Sequence, residues 1–136
     1  MIFFPSTAKQ CTSLHVLVVD DESLIRWSLA EALAGSGHTV TEASDGETAL
    51  HALTSGTELP DVVLLDYRLP DSNDLTLLSR IRQLAPRSRV ILMTAYGTPE
   101  LVKGALELGA YRIVSKPFQL HELAALAEEA HGSYPE

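Results

Sequence analysis

The sequence predicts an α/β fold in which five parallel strands form one sheet covered by helices on both faces. Short apolar runs alternate five times along the chain with segments whose apolar residues recur at helical spacing. Most of these runs are continuous, which is typical of strands buried on both faces of a parallel sheet. Parallel neighbours need crossover connections, which are almost always right-handed, so we expect a three-layer α/β/α architecture.

The predicted strands differ in how apolar they are. The run that ends in Asp66 is apolar throughout, whereas the second run carries polar residues at alternate positions. We therefore expect the second strand at an edge of the sheet. The predicted strands are residues 15–19, 39–43, 62–65, 89–93 and 111–115.

A helix is predicted after each strand, with turn and capping residues at its ends. Thr98, Pro99 and Glu100 give the fourth helix a side-chain cap, an early proline and an early acid, and Gly109 is expected just beyond its end. The expected caps of the first three helices are Ser23, Asp45 and either Ser72 or Asn73, and the fifth helix carries Leu120, Leu123 and Leu126.

Length, charge and cysteine content limit the class of protein. With 136 residues the chain has room for one domain, expected at 14–131 between a flexible leader (1–13) and a frayed tail or linker (132–136). The net charge of −8 excludes a diffuse basic surface for nucleic acid, and no apolar stretch reaches the roughly 18 residues of a membrane span. Cys11 is the only cysteine, so we expect no intrachain disulfide and a reducing, cytoplasmic setting.

Polar side chains follow four of the predicted strands where each strand ends. Asp20 and Asp21 follow the first strand, Asp66 ends the third, Thr94 ends the fourth and Lys116 follows the fifth. The carboxyl ends of parallel strands meet at one edge of the sheet, where open α/β folds bind ligands. Alone, Asp66 fits equally well as a turn residue. Its convergence with the other four residues favours a binding site.

The composition of this group indicates its chemistry. Three carboxylates in one pocket raise one another's pKa unless a cation neutralises them. Oxygen ligands without histidine or cysteine favour a hard divalent ion, and Mg²⁺ suits a site that keeps waters and shares its metal with phosphate. Lys116 and Thr94 then offer a positive charge and a hydroxyl donor to the oxygens of a phosphoryl group.

These motifs resemble the receiver domains of two-component response regulators over residues 14–130. Each motif alone is weak, but their order and spacing at strand ends are highly specific. The resemblance implies a flavodoxin-like, doubly wound sheet with strand order 2-1-3-4-5. The matching motifs are Asp20-Asp21, Asp66 within Leu-Leu-Asp-x-x-Leu-Pro, Thr94-Ala95, Gly109-Ala110 and Lys116-Pro117-Phe118.

The resemblance implies a metal site and a phosphoacceptor. Asp66 would accept a phosphoryl group from a sensor histidine kinase. Asp21 and Asp66 would ligate Mg²⁺ directly, Asp20 would act through water, and the backbone carbonyl of Arg68 would complete the protein ligands.

The resemblance also implies a switch. Thr94 and Lys116 would bind the phosphoryl oxygens, with Lys116-Pro117 as a cis peptide, and the output surface would lie around the fourth helix and fifth strand. Residues 23–29 and 94–97 are most similar to NtrC-like receivers, whose full-length members activate transcription with the alternative sigma factor. A phosphorylation-dependent homodimer is therefore expected, with no catalysis on outside substrates and an effector domain that is separate or missing.

Three positions depart from the family pattern. Asp74 stands where a glycine is common, Arg112 where an acid is frequent, and Ile113 where the family usually carries an aromatic switch residue. Isoleucine is β-branched and stiff at χ1, so it cannot swing as a ring does. Tyr111, two residues earlier and hence expected on the same face, is the nearest aromatic substitute.

Other interpretations fit the residues less well. A haloacid-dehalogenase-type phosphatase would need an acid where Arg68 stands, and a flavodoxin would need a Ser/Thr-rich loop after the first strand. A phosphorylation-independent interaction module stays open because of Ile113. Arg26 and Arg68 lie near the acidic edge by sequence, and pairing with it or full solvation are both open for them.

Overall fold

The computed structural model describes residues 13–56 and 58–132, and it confirms the predicted fold class. Five parallel strands form one sheet in the order β2-β1-β3-β4-β5. The predicted leader and tail lie outside the described residues, apart from Ser13 and Gly132. No helix of the described part of the chain is both long and apolar enough to cross a membrane.

The strands match the predicted runs closely. The second strand lies at an edge of the sheet, as its polar residues predicted, and the fifth lies at the other edge. Val19 pairs with Ala43 on one side and with Leu65 on the other, so the strand ends are aligned. The strands are β1 His15–Val19, β2 Thr39–Ala43, β3 Val62–Asp66, β4 Arg89–Thr94 and β5 Arg112–Ser115.

Five helices connect and flank the strands. They are α1 Ser23–Gly35, α2 Gly46–Ser55, α3 Thr76–Leu84, α4 Pro99–Glu107 and α5 Leu120–Gly132. Helices α1 and α5 pack on one face of the sheet, called here the α1/α5 face, and α2, α3 and α4 pack on the other, called the α2/α3/α4 face. This is the expected three-layer arrangement.

The strands divide their apolar residues between the two faces. Successive side chains of a strand point to opposite sides, so a continuous apolar run supplies both halves of the core at once. In β1, Leu17 and Val19 are buried on the α2/α3/α4 face, and Val16 and Val18 on the α1/α5 face. The carboxyl ends of the strands are thereby fixed relative to one another, and this edge carries the polar groups considered below.

Some helix starts differ from the predicted ones. Asp45 and Thr98 are confirmed as caps, because their side chains accept from the backbone N–H of Thr48 and Leu101. The prediction that Ser23 caps the first helix is wrong, because Ser23 is already the first residue of α1.

The start of α3 was also predicted wrongly. The helix begins at Thr76, and neither Ser72 nor Asn73 caps it. The backbone of Ser72 is instead paired with Leu69 in the loop, and Asp74 Oδ1 accepts from the Thr76 N–H at 3.0 Å. The polar residues of this loop thus serve its own turns before the helix begins.

Two glycines in the described chain adopt a left-handed backbone. Gly37 (φ 93°) follows α1, and Gly109 (φ 101°) follows α4 as predicted. Around Gly37 there is open space, whereas the guanidinium of Arg82 packs directly on Gly109. Substitutions at these two positions therefore distinguish the cost of backbone strain alone from the cost of strain together with side-chain crowding.

We predict that Gly109→Ala destabilises the fold more than Gly37→Ala. Both substitutions place a Cβ on a left-handed residue, at about 1–2 kcal/mol. At Gly109 that Cβ would also lie 2.6 Å from Nε of Arg82. Arg82 is not free to move, because its Nη1 donates to the carbonyls of Pro86 and Ser88. Urea denaturation gives the free energies of unfolding.

Arg82→Ala in the Gly109→Ala background is the matched control. It removes the crowding atoms, so the two substitutions together should cost less than the sum of their separate costs. Additive costs, or a Gly37→Ala protein as unstable as Gly109→Ala, would contradict this assignment.

Candidate functional site

The three acidic residues singled out in the sequence meet at the carboxyl edge of the sheet. Asp20 and Asp21 follow β1, and Asp66 ends β3, which pairs directly with β1. One carboxylate oxygen of each residue lies within 4.8 Å of those of the other two. Asp20 and Asp66 are buried and Asp21 is exposed, so the cluster has a closed base and one open side.

Lys116 reaches into this cluster from the loop after β5. Its Nζ lies 3.2 Å from Asp20 Oδ2 and 3.3 Å from Asp66 Oδ2. The Lys116 N–H donates to the carbonyl of Thr94 at 2.8 Å, which fixes the base of the lysine against β4. The Lys116-Pro117 peptide is cis, as expected.

Glu22 belongs to the same charge cluster, and the sequence analysis missed it. Its Oε1 lies 3.3 Å from Lys116 Nζ. The only sequence signal was its place directly after the acidic pair. Glu22 is exposed, so its contact with the lysine contributes far less than those of the buried Asp20 and Asp66.

Burial and like charge shift the pKa values in this pocket. Burial, reinforced by the charge of Asp20, raises the pKa of Asp66 from 3.8 to about 6, against the opposing effect of Lys116. Burial lowers the pKa of Lys116, but the carboxylates of Asp66 and Asp20 outweigh it, so the net pKa is raised. The lysine is therefore firmly protonated, and a single ammonium does not compensate the acids fully.

Thr94 and Asp66 end adjacent strands of the sheet. Asp66 is in register with Met93, so the two strand ends lie side by side, and Thr94 is buried. The hydroxyl oxygen of Thr94 accepts from the Tyr96 N–H at 3.2 Å. Its hydrogen is left for another acceptor at the same edge.

The loop after β3 begins with a hydrogen bond back to Asp66. The Arg68 N–H donates to Asp66 Oδ1 at 3.3 Å, and the Tyr67 N–H donates to the carbonyl of Met93 at 2.8 Å. The side chain of Arg68 is exposed, which favours full solvation over pairing with the acidic edge. These contacts hold the backbone of Arg68 at the carboxyl edge of the sheet, beside Asp66.

The loop further on is anchored without a glycine turn. Asp71 accepts from the N–H groups of Gly46 and Glu47 at 2.8 and 3.0 Å, which ties the loop to the start of α2. Among residues 13–56 and 58–132, only glycines have a positive φ, so Asp74 is not left-handed. The described loop therefore accommodates Asp74 without a left-handed residue at that position.

Arg26 pairs with the acidic edge, which decides between its two open alternatives. Its Nη1 donates to the carbonyl oxygen of Asp20 at 2.7 Å, and its Nε donates to Glu42 Oε1 at 3.1 Å. Arg26 contacts the backbone of Asp20 and not its side chain, so the Asp20 carboxylate stays available for other partners.

The expectation that Tyr111 shares a face with Ile113 is wrong. Ile113 packs on the α2/α3/α4 face, but Tyr111 packs on the α1/α5 face, where its hydroxyl donates to Glu129 at 3.2 Å. The reason is that β5 begins at Arg112, so Tyr111 precedes the strand and does not follow its alternation. Tyr111 therefore does not replace the missing aromatic residue of the switch.

The donor set fits a divalent cation such as Mg²⁺. Three carboxylates converge, and the pKa of Asp66 is raised by burial first and by the charge of Asp20 second, beyond what Lys116 offsets. Carboxylate and carbonyl oxygens are the ligands that such hard ions prefer. The exposed side at Asp21 is open to solvent, so water could complete the coordination of such an ion.

Comparisons with known proteins agree with this geometry. The response regulator receiver domain family matches residues 16–128. The DNA-binding transcriptional regulator NtrC of Escherichia coli K12 is 45% identical over 121 residues, which are 89% of this chain and 25% of that protein. The chain thus spans about a quarter of the length of that relative. The sporulation initiation phosphotransferase F of Bacillus subtilis is 37% identical over 79% of this chain and 86% of its own length.

A solved structure shows the same fold. The receiver domain protein (CheY-like) from Methanospirillum hungatei JF-1 has a TM-score of 0.84 at 26% identity, and the match covers 90% of this chain and 97% of that one. Sequence, topology and relatives agree on one assignment: the chain belongs to the response regulator receiver domain family.

Proposed function

We propose that the chain is the phosphoacceptor module of a two-component system and that Asp66 accepts a phosphoryl group from a sensor histidine kinase. The observation that carries this is the ammonium of Lys116 between buried Asp20 and Asp66, beside an open side at Asp21. A carboxylate held with a cation at a strand end is a nucleophile ready to meet an incoming phosphoryl group.

The proposed reaction is a transfer to a carboxylate oxygen of Asp66. A bond forms between that oxygen and phosphorus, the phosphorus–nitrogen bond of the donor phosphohistidine breaks, and its electron pair leaves with the imidazole nitrogen. Lys116 and the Thr94 hydroxyl bind the equatorial phosphoryl oxygens, over which the negative charge is spread in the transition state. The nucleophile must be ionised, and a pKa of about 6 leaves Asp66 mostly ionised at neutral pH.

Asp21, Asp66 and the backbone carbonyl of Arg68 would hold Mg²⁺ directly, and Asp20 would hold it through water. When bound, the ion supplies positive charge to the phosphoryl oxygens and to the carboxylates. Asp20 is already engaged by Lys116 and by the Glu22 N–H, which suits an indirect role.

The proposed output runs through Thr94, Ile113 and α4. Of the residues of α4, all of which the structure describes, Ala105 alone is buried. A helix so lightly anchored can be shifted at small cost. Phosphorylation would then change self-association towards a homodimer, and the similarity to NtrC supports control of transcription through an effector domain beyond residues 14–131, in the cytoplasm.

A phosphorylation-independent interaction module is the second candidate, and Ile113 is the observation that favours it. The intact acids, Thr94 and Lys116 favour phosphorylation instead. The net charge of −8 does not favour direct nucleic-acid binding by this domain in either case.

We predict that acetyl phosphate and Mg²⁺ add one phosphoryl group, at Asp66. Of the described acids in contact with Lys116, Asp66 is the one that belongs to a strand and ends it beside Thr94 of β4. Intact-mass spectrometry should show the added group in the parent and none in Asp66→Asn. Asp74→Asn, which removes an exposed carboxylate of the following loop, is the matched control and should be modified like the parent.

An added phosphoryl group that persists in Asp66→Asn would refute the assigned acceptor. A folded parent chain that gains no phosphoryl group at all would favour the phosphorylation-independent module.

We predict that Mg²⁺ stabilises the fold and that this effect weakens below pH 6. At about 100 times its Kd the ion should add about 2.7 kcal/mol to the free energy of unfolding. The pKa of Asp66 lies above its usual value, so without metal this group's contribution to stability is lost as the pH rises from about 4 through 6. At neutral pH, Mg²⁺ offsets the lost stability by binding the ionised carboxylates. At lower pH, protons compete with Mg²⁺ for the carboxylate of Asp66.

Thermal melts in Mg²⁺ and in EDTA between pH 5 and 8 measure this effect. Asp21→Asn should remove most of the response to Mg²⁺, and Asp74→Asn should keep it. A response that is equal in both variants, or that grows as the pH falls, would exclude the proposed site.

We predict that Ile113, and not Tyr111, couples the pocket to α4. Beryllofluoride, a phosphoryl mimic, should change amide exchange in residues 99–107 of the parent. Ile113→Ala should reduce that change and the accompanying self-association, because Ile113 packs on the face that α4 shares.

Two control variants test the same strand from the other face. Val114→Ala removes a side chain that packs on the α1/α5 face, and Tyr111→Phe removes only a hydroxyl there. Both should respond to beryllofluoride like the parent. The idea fails if Val114→Ala uncouples α4 as strongly as Ile113→Ala does.

A further inference from the structure

We propose that Arg26 is a positioning residue for the metal site. Its guanidinium holds the loop after β1 so that the carboxylates of Asp20 and Asp21 stay against Asp66. The inference rests on the proposed function, because it assigns Arg26 a task in the binding of Mg²⁺ at that site.

Arg26 has two anchor points on separate parts of the fold. Its Nη1 donates to the backbone carbonyl of Asp20 at 2.7 Å, and its Nε donates to Glu42 Oε1 on β2 at 3.1 Å. The side chain is only 19% exposed, and its own backbone N–H is bonded to the Glu22 carbonyl at 2.9 Å. The guanidinium therefore joins the start of α1, the acidic loop and the edge strand.

The loop after β1 is held by several hydrogen bonds of Asp20, and the bond from Arg26 is one of them. The Asp20 N–H donates to the carbonyl of Ala43 at 3.1 Å, and Asp20 Oδ1 accepts from the Glu22 N–H at 2.9 Å. Arg26 takes the carbonyl of the same residue, whose side chain is fully buried. Without Arg26 that part-buried carbonyl loses its side-chain donor, and the loop loses its link to Glu42 on β2.

The charge of Arg26 and its positioning role have opposite effects on the metal. A guanidinium beside a cation site repels the cation, so an Arg26 that acted through charge alone would weaken Mg²⁺ binding, and its removal would strengthen it. An Arg26 that holds the loop does the reverse. The sign of the change in Kd therefore separates the two roles.

The test compares the full chain with Arg26→Gln, Arg26→Lys and Glu42→Gln. Calorimetric titration gives the Kd for Mg²⁺, and circular dichroism checks that each variant is folded at the titration temperature. Phosphorylation by acetyl phosphate at varied Mg²⁺ gives the KM for the metal and the rate at saturation. Glu42→Gln is the matched control, since it keeps the bond from Arg26 to Asp20 and retains an amide oxygen for Nε.

We expect Arg26→Gln and Arg26→Lys to raise the Kd and the KM for Mg²⁺ by about 10-fold, which is typical when a partner of a metal ligand is lost. The rate at saturating Mg²⁺ should change less, and Glu42→Gln should bind nearly as the parent does. Lysine keeps the charge but not the fork that reaches both anchors. Arg26→Lys thus carries the test if Arg26→Gln does not fold.

Other outcomes overturn the inference. Tighter binding in Arg26→Gln together with parental binding in Arg26→Lys would assign Arg26 a charge effect only. Parental Kd values in both variants with lowered stability would assign it a structural role only. A parent chain that binds no Mg²⁺ would overturn the proposed metal site as well, so failure of the inference alone is recognised by normal binding in the parent.

Discussion

The contact of the Lys116 ammonium with buried Asp20 and Asp66 is the interaction on which the rest of the site depends. Two carboxylates taken out of water beside each other lose hydration and repel, so they need a countercharge to stay ionised. Lys116 provides this countercharge although it lies 96 residues after Asp20 in the sequence. The strands that carry Asp20, Asp66 and Lys116 must therefore be assembled before the contact can form. The pocket is a product of the whole sheet. Burial and, after it, the charge of Asp20 raise the pKa of Asp66 more than Lys116 lowers it, so a divalent cation would further stabilise the ionised carboxylates.

The parallel sheet explains why so much of this site could be predicted from the sequence. Continuous apolar runs need burial on both faces, and parallel connections bring their carboxyl ends to one edge, so the convergence of Asp20, Asp66, Thr94 and Lys116 follows from pattern alone. The caps at Asp45 and Thr98 were equally readable, because a side chain that accepts from an N–H three residues on is a local event. A structural feature that is decided by a local contact or by a periodic pattern can be predicted from the sequence.

The contacts that the sequence left open or did not mark share the opposite property. Arg26 bonds to a backbone carbonyl and to Glu42, 16 residues away, and buried His38 lies between the Leu14 N–H and Glu128, 90 residues away. No periodicity marks such partners. Tyr111 was assigned to the wrong face for a different reason: alternation holds only inside a strand, and a start one residue later than expected sends the preceding side chain to the other side.

A short series of hydrogen bonds connects Thr94 to the start of α4. Its hydroxyl oxygen accepts from the Tyr96 N–H, the Tyr96 carbonyl accepts from the Thr98 N–H at 3.2 Å, and Thr98 Oγ1 caps α4 through the Leu101 N–H. A Thr94 side chain whose oxygen moves toward a phosphoryl group must either pull this loop along or give up the bond from the Tyr96 N–H, whereas rotation of the O–H bond alone leaves that bond in place. Either change reaches the cap of a helix in which Ala105 is the one buried residue of a fully described segment, so little packing opposes it. With no ring at position 113, this series of hydrogen bonds and the packing of Ile113 would link the site to α4 in the proposed switch.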